Sequence, residues 1–368
     1  MLEWKKLGDF LDFEQPTRYL VKSTDYDDSY GIPVLTAGQS LLLGYTNETE
    51  GVFEASKENP TIIFDDFTTS FHWIDYCFKV KSSAMKMLKP KAGVNFRYVY
   101  YAMCGIHFVP TQHQRHWISK YSQFEIPVPS LSEQTRIVGI LDTFTASIEN
   151  LKQQIAQRRK QYEHYRDQLL DLEGKEGVEM KRLIEVFDTR NGYTPSTTNS
   201  LFWEGGTIPW FKMEDIRDNG RILNDSNLHI TPRAIKGKGL FKSNSIILAT
   251  SATIGEHALI TVDHLCNQRF TNFFPKKDYM AKIDMKFIYY YMFIIDEWCR
   301  QHINQGGFAS VDMIGLYNLF IPIPSLAEQQ RIVSILDTFE ASIANLEQQL
   351  AQRERQYEYY RNKLLDFE

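Results

Sequence analysis

Apolar residues follow two rhythms along this chain. In two stretches they recur with alternating steps of four and three. The first runs Ile137, Leu141, Phe144, Ile148, Leu151, Ile155, Tyr162, Tyr165, Leu169, Leu172. The second runs Ile332, Leu336, Phe339, Ile343, Leu346, Leu350, Tyr357, Tyr360, Leu364, Phe367. A four–three seam sustained this long predicts a coiled-coil helix. Elsewhere, short β-rich runs such as Thr61–Phe64 and Ser245–Leu248 alternate with Gly, Asn and Asp turns. Each such region closes on a Tyr-rich helical stretch, Phe96–Met103 in one and Phe287–Met292 in the other, the pattern of compact α+β domains.

The two seams belong to a repeat. Residues 126–173 and 321–368 align without a gap at an offset of 195, with 34 identities in 48. Chance does not produce that, so the halves arose by duplication. Pro129 and Pro324 exclude helix before them, and Ser130-x-x-Glu133 and Ser325-x-x-Glu328 have capping-box spacing. Each helix should be roughly 60 Å long, and two such seams in one chain pack most simply on each other. Arg158 and Arg353 interrupt the seam at equivalent positions. They read either as side chains turned out to solvent beside tyrosines or as a register device. The expected division is 1–129 globular, 130–173 helix, 174–324 globular and 325–368 helix. The expected fold class is α+β, two mixed globular domains separated by two long antiparallel helices with a pseudo-two-fold repeat.

The globular segments barely resemble each other, but landmarks line up. Trp4-Lys5-Lys6-Leu7 matches Met180-Lys181-Arg182-Leu183, and Ile32-Pro33-Val34-Leu35 matches Ile208-Pro209-Trp210-Phe211. Duplication has kept the helices and let the globular parts diverge, as expected of two binding modules of different specificity on one scaffold.

Composition changes this picture at a few points. The longest apolar run, Phe287–Ile295, is about half the ~20 residues a membrane span needs. The first residues, Met1-Leu2-Glu3-Trp4-Lys5-Lys6, hold no apolar signal core, so a cytoplasmic protein is expected. Cys77, Cys104, Cys266 and Cys299 lie far apart without a C-x-x-C pair, which fits reduced thiols rather than zinc ligands. The net charge of −5 argues against a non-specific nucleic-acid coat, not against selective DNA binding. One basic cluster, Arg233, Lys236 and Lys238 with Lys242 nearby, is interrupted by glycine and could follow a phosphate backbone.

Catalytic signatures are missing. There is no G-x-x-x-x-G-K-[ST] phosphate loop, no G-x-G-x-x-G and no H-E-x-x-H. Asn59-Pro60 lacks the second proline and aromatic with which amino-methyltransferases grip a flipped base. His113 and His116 read as surface residues, and Asp65-Asp66 as a turn or base-edge pair rather than a metal site. A chain without catalytic residues, cofactor or metal is expected.

The sequence I-P-[VI]-P-S-L-x-E-Q-x-R-I-V-x-I-L-D, used twice and each time opening a long helix, resembles the specificity subunit of type I restriction–modification enzymes. The resemblance covers the full chain. Gly192-Tyr193-Thr194-Pro195-Ser196, Ile208-Pro209-Trp210 and Asn267-Gln268-Arg269-Phe270 are similar to sequences recurrent in that family. The first domain lacks them and resembles a different recognition subtype. The resemblance implies two target-recognition domains held apart by an antiparallel helix pair, each reading half of a split, asymmetric sequence in double-stranded DNA. It also implies partners: two modification subunits with adenosylmethionine-dependent adenine methyltransferase activity, and restriction subunits with ATP-driven translocation and a nuclease. Two other classes remain open from sequence. One is a coiled-coil interaction protein with two variable protein-binding domains; the other is the recognition part of a fused restriction–methylation protein.

Base readout in the major groove uses short polar side chains, Arg, Lys, Asn and Gln on loops. In the first domain the candidates are Thr17, Arg18, Thr36, Gln39, the loop Asp65, Asp66, Thr68, Thr69, Ser70, and the loop Gln112, His113, Gln114, Arg115, His116. In the second they are Tyr193, Thr194, Lys212, Thr250, Ser251, Gln268, Arg269 and the loop Gln305, Gly306, Gly307, Phe308. Arg233, Lys236 and Lys238 are added as phosphate contacts.

Overall fold

The structure is a computed structural model that describes residues 2–36, 38, 40–110, 114–304 and 309–367. The chain forms two compact units, one of residues 1–154 and 346–368, the other of residues 155–345. Each long helix, Leu131–Leu170 and Leu326–Leu365, contributes its N-terminal half to one unit and its C-terminal half to the other.

In the first unit a four-stranded antiparallel sheet has the order Leu11–Glu14, Met85–Pro90, Thr61–Asp65, Phe71–Ile74. Strand Thr61–Asp65 is buried on both faces because its side chains alternate. Ile62 and Phe64 face a core with helix Phe96–Cys104, and Ile63 faces a second core with Leu35, Phe53 and Phe78. Full burial of such side chains contributes roughly 1.5–3 kcal/mol each. A smaller sheet joins Leu42–Thr46, Ile32–Leu35 and Lys79–Val80. The chain start, Glu3–Lys6, pairs antiparallel with Glu125–Val128, placing Trp4 opposite Pro127.

The second unit follows the same plan with other residues. Its five-stranded sheet has the order Phe187–Asn191, Phe270–Pro275, Ser245–Ala249, His257–Ile260, Ile222–Leu223. Ile246 and Leu248 face the core of helix Met285–Gln301, and Ile247 and Ala249 the opposite one. The sequence landmarks occupy corresponding places. Val34 and Trp210 each lie in a central strand with a parallel neighbour, and Met180 lies opposite Pro322 as Trp4 does opposite Pro127.

Both long helices start directly after the expected cap. The Ser130 and Ser325 hydroxyls accept the Glu133 and Glu328 amides at 3.3 Å, but the box is not reciprocal. Glu133 gives both carboxylate oxygens to Arg136, and Glu328 to Arg331. Gln134 and Gln329, which the sequence reading missed, donate to the Pro129 and Pro324 carbonyls at 2.9 and 2.8 Å and close the junction from I-P-x-P into helix. The first helix stops at Leu170, short of residue 173. The chain leaves through Gly174 and Gly177 at φ +71° and +76°, a conformation that favours glycine.

The seam is shared between two tasks. Ile137 and Leu141 join the globular core of the first unit, and Ile332 and Leu336 that of the second. Phe144 then stacks on Tyr360 with 5.3 Å between centroids, and Tyr165 stacks on Phe339 at 5.4 Å, the same antiparallel register in each unit. Arg353 lies 5.6 Å from the Phe144 ring and Arg158 5.9 Å from Phe339. The two arginines therefore mark that register with cation–π contacts.

Candidate nucleic-acid interface

In the second unit, loops at one end of the five-stranded sheet are stitched together by backbone bonds. The Gly192 amide donates to the Phe270 carbonyl at 3.0 Å, Tyr193 to Cys266 at 2.8 Å, Thr250 to Arg269 at 2.9 Å, and Val311 to Thr250 at 2.9 Å. Gly192 permits this approach, since a Cβ there would collide with the Asn267 and Cys266 carbonyl oxygens. Thr194 bonds the side-chain oxygen of Gln268. The Asn267 side chain accepts the Arg269 amide at 3.0 Å, and its backbone N–H donates to Phe211, next to Lys212. Five separated segments thus present Thr194, Lys212, Lys236, Ser251, Gln268 and Arg269 near one another, of which Thr194, Lys236, Gln268 and Arg269 are exposed.

Two candidates there have internal partners. The Tyr193 hydroxyl donates to the Ala234 carbonyl at 3.0 Å and accepts the Lys236 amide at 2.9 Å, tying the G-Y-T-P-S loop to the basic loop. The Thr250 hydroxyl lies 3.1 Å from Thr271. Arg233, Lys236 and Lys238 of the basic cluster are all exposed, and Lys238 also lines a cavity of about 410 Å³ on the sheet face with Arg190, Lys242, Thr189 and Asn272. Arg190 was missed from sequence. Its guanidinium lies 4.0 Å from the Phe241 ring and donates to the Gly239 carbonyl at 2.8 Å, and burial lowers its pKa.

In the first unit the candidates separate. The Asp65 carboxylate accepts the Phe67 and Thr68 amides at 2.8 Å, a turn that holds Thr69 at φ +60°. Nearby, Thr36 accepts the Gly38 amide at 3.1 Å and donates to the Ser40 carbonyl at 3.0 Å. His72, also missed, lies 3.0 Å from the Gly38 carbonyl. Thr68, Gln114 and Arg115 are exposed beside them. Thr17 and Arg18 lie elsewhere: Arg18 lines a cavity of about 330 Å³ with Asn59 and Lys89, at the other end of the Thr61–Asp65 and Met85–Pro90 strand pair.

Three first-domain candidates need correction. Asp66 is 1% exposed, pairs with the equally buried Lys86 at 3.1 Å and accepts the Trp117 amide at 2.8 Å. His116 is fully buried, its ring edge-on to Phe108, and its amide donates to the Asp66 carbonyl at 2.8 Å. Thr69 is 7% exposed. Asp66 and His116 join the two segments, and all three side chains are buried rather than presented at the surface. Gln39, Gln112, His113, Gln305, Gly306, Gly307 and Phe308 lie outside the described residues.

Burial pushes the Cys104 and Cys299 thiols up to about 11 and 12, and lowers the His264 imidazole to about 4, so it is neutral at pH 7. Among the described residues, no group of three or more His, Cys, Asp or Glu could hold a metal, and no helix is long and apolar enough to cross a membrane.

Comparison with known proteins agrees with this arrangement. Residues 1–158 and 175–355 each match the profile of the type I restriction modification DNA specificity domain. The chain is 43% identical over 393 residues to the type I restriction enzyme EcoR124I/EcoR124II specificity subunit of Escherichia coli, covering 100% of this chain and 94% of that protein. It is 51% identical over 214 residues to the EcoprrI specificity subunit of the same organism, covering 55% of this chain and 53% of that protein. In fold it is similar to the crystal structure of a type I restriction-modification S subunit from M. genitalium, with a TM-score of 0.60 at 15% identity, covering 100% of this chain and 97% of that one. The chain therefore belongs to the family of type I restriction–modification specificity subunits and carries two copies of its DNA specificity domain.

Proposed function

We propose that this chain gives a type I restriction–modification assembly its DNA sequence specificity. Each globular domain reads one half of a bipartite, asymmetric target in double-stranded DNA. The helix pair sets the spacing between the halves and recruits two modification subunits, and restriction subunits join to complete the enzyme. The chain itself is non-catalytic; methyl transfer, translocation and cleavage belong to those partners.

One observation carries this reading: two exposed polar loop surfaces, built from globular segments of different sequence, go with near-identical helices. Thr194, Gln268 and Arg269 form one surface, and Thr68, Gln114 and Arg115 the other. Short polar side chains with an arginine suit base edges, and holding them on loops of unrelated sequence and different placement implies dissimilar half-sites. Recognition on one face of a duplex places the half-sites about one helical turn (~10 bp) apart.

The test is to produce the chain with its modification partner in a host lacking other methylation and to map the modified adenines. A split motif with an unread central spacer is expected. A continuous palindrome would sink the reading, as would methylation of DNA by this chain alone.

A further inference from the structure

The two globular segments share little sequence, yet each is fastened to its long helix in the same way. In the first unit Asp142, on helix Leu131–Leu170, receives Arg97 Nε at 2.7 Å and the Tyr101 hydroxyl. In the second, Asp337 on helix Leu326–Leu365 receives Lys286 Nζ at 2.7 Å and the Tyr290 hydroxyl at 2.6 Å. Asp142 and Asp337 are equivalent positions of the repeat, 195 residues apart. In both domains the cation and the tyrosine stand at i and i+4 of the helix packed there, Phe96–Cys104 or Met285–Gln301, a spacing that puts them on one helix face. The domains have thus kept the same fastening while diverging almost everywhere else.

The physical roles of the contacts differ. Ile137 and Leu141, or Ile332 and Leu336, bury fully against the domain core. Apolar burial is non-directional, so it holds a helix down and constrains its angle only through the fit of the packed side chains. A charge-assisted bond is directional and loses strength as the donor swings away. The ion pairs are partly exposed, with Asp142 and Asp337 at 44% and 37%, so screening by water keeps their contribution to stability small.

We propose that Asp142 and Asp337 are positioning residues that fix the angle at which each recognition domain is carried on its helix, and so determine which spacer length is accepted. The proposal rests on the bipartite target argued above. Its test uses D142N and D337N chains, each produced with the modification subunits and presented with a library. Both half-sites are held constant, and the spacer is varied by one and two base pairs around the preferred length. The ratio of methylation at the preferred spacer to that at its neighbours should fall by about fivefold or more, with half-site preferences unchanged. Y101F and Y290F, which keep the ion pair, should give smaller falls.

A uniform loss of methylation at every spacer, with the ratio intact, would overturn the proposal, because a purely structural role produces that result. A wild-type ratio would overturn it too. If the asparagine variants do not accumulate as folded protein, the tyrosine variants decide the matter by the same ratio. A wild-type chain that modifies a continuous site would count against the bipartite reading itself.

Discussion

Arg269 and Arg115 occupy comparable settings in the two domains. Both are exposed on loops held rigid from beneath, Arg269 by the Asn267 side chain and Arg115 by the buried amide of His116 next to it. Arg269→Ala should weaken binding to targets carrying the cognate second half-site by ~1–3 kcal/mol while sparing binding to unrelated DNA. Titration of the assembled complex against both kinds of DNA measures this, and an equal loss on both would make Arg269 a phosphate contact. The sequence marked these loops as polar but could not say which polar residue turns inward. Asp65 and Asp66 are neighbours in one dipeptide, yet only Asp66 meets a buried lysine, Lys86, twenty residues on across the sheet. Breaking such a pair by removing one partner costs about 3–5 kcal/mol, so Asp66 serves the fold. Arg190 escaped notice because its value lies in its setting, over Phe241 and beside Lys238, which no local pattern displays.

Among the elements, the long helices were the most legible, since a four–three apolar rhythm free of proline leaves few alternatives. What periodicity hid was the division of the seam, because Ile137 and Leu141 look like helix–helix positions and instead meet a domain core. The sequence pattern shows only the stretch Phe287–Met292 of the helix that begins at Met285. Its run of aromatic and β-branched residues has modest helical propensity, and tertiary burial carries it on to Gln301. A testable electrostatic contact lies on the long helix packed beside it. Glu340, which accepts the Tyr162 hydroxyl at 3.1 Å, is held above the usual carboxylate range, chiefly by burial. The folded state therefore binds its proton more tightly than the unfolded chain. That contribution is complete below pH about 4.5 and is lost as pH rises through the raised pKa. Glu340→Gln should leave the Tm unchanged at pH 4 and raise it at pH 8. Melting curves at the two pH values check this, and equal shifts at both would contradict it.

At the scale of the whole molecule, the duplicated helices act as a ruler in the proposed function. Removing residues 153–156 and 348–351 together shortens each helix by about 6 Å and keeps the two copies matched. The accepted spacer should shrink by about two base pairs, with both half-site sequences retained, as read by mapping methylated adenines in a host carrying the variant. An unaltered spacer would contradict the ruler. The sequence made this architecture readable because duplication wrote it twice. The candidate surfaces were less readable because the five segments meeting around Arg269 are brought together only by the sheet.

The ribbons that pair Glu3–Lys6 with Glu125–Val128 and Glu179–Arg182 with Phe320–Ile323 have an evolutionary consequence. Each closes a globular segment on itself, so the segment's two ends leave the fold side by side at the foot of a helix. Crossovers at those two places can replace a whole segment without disturbing a buried contact beneath the other one. If each domain reads one half-site as proposed, a single such exchange would give a new half-specificity, with the repeated helices as matching flanks.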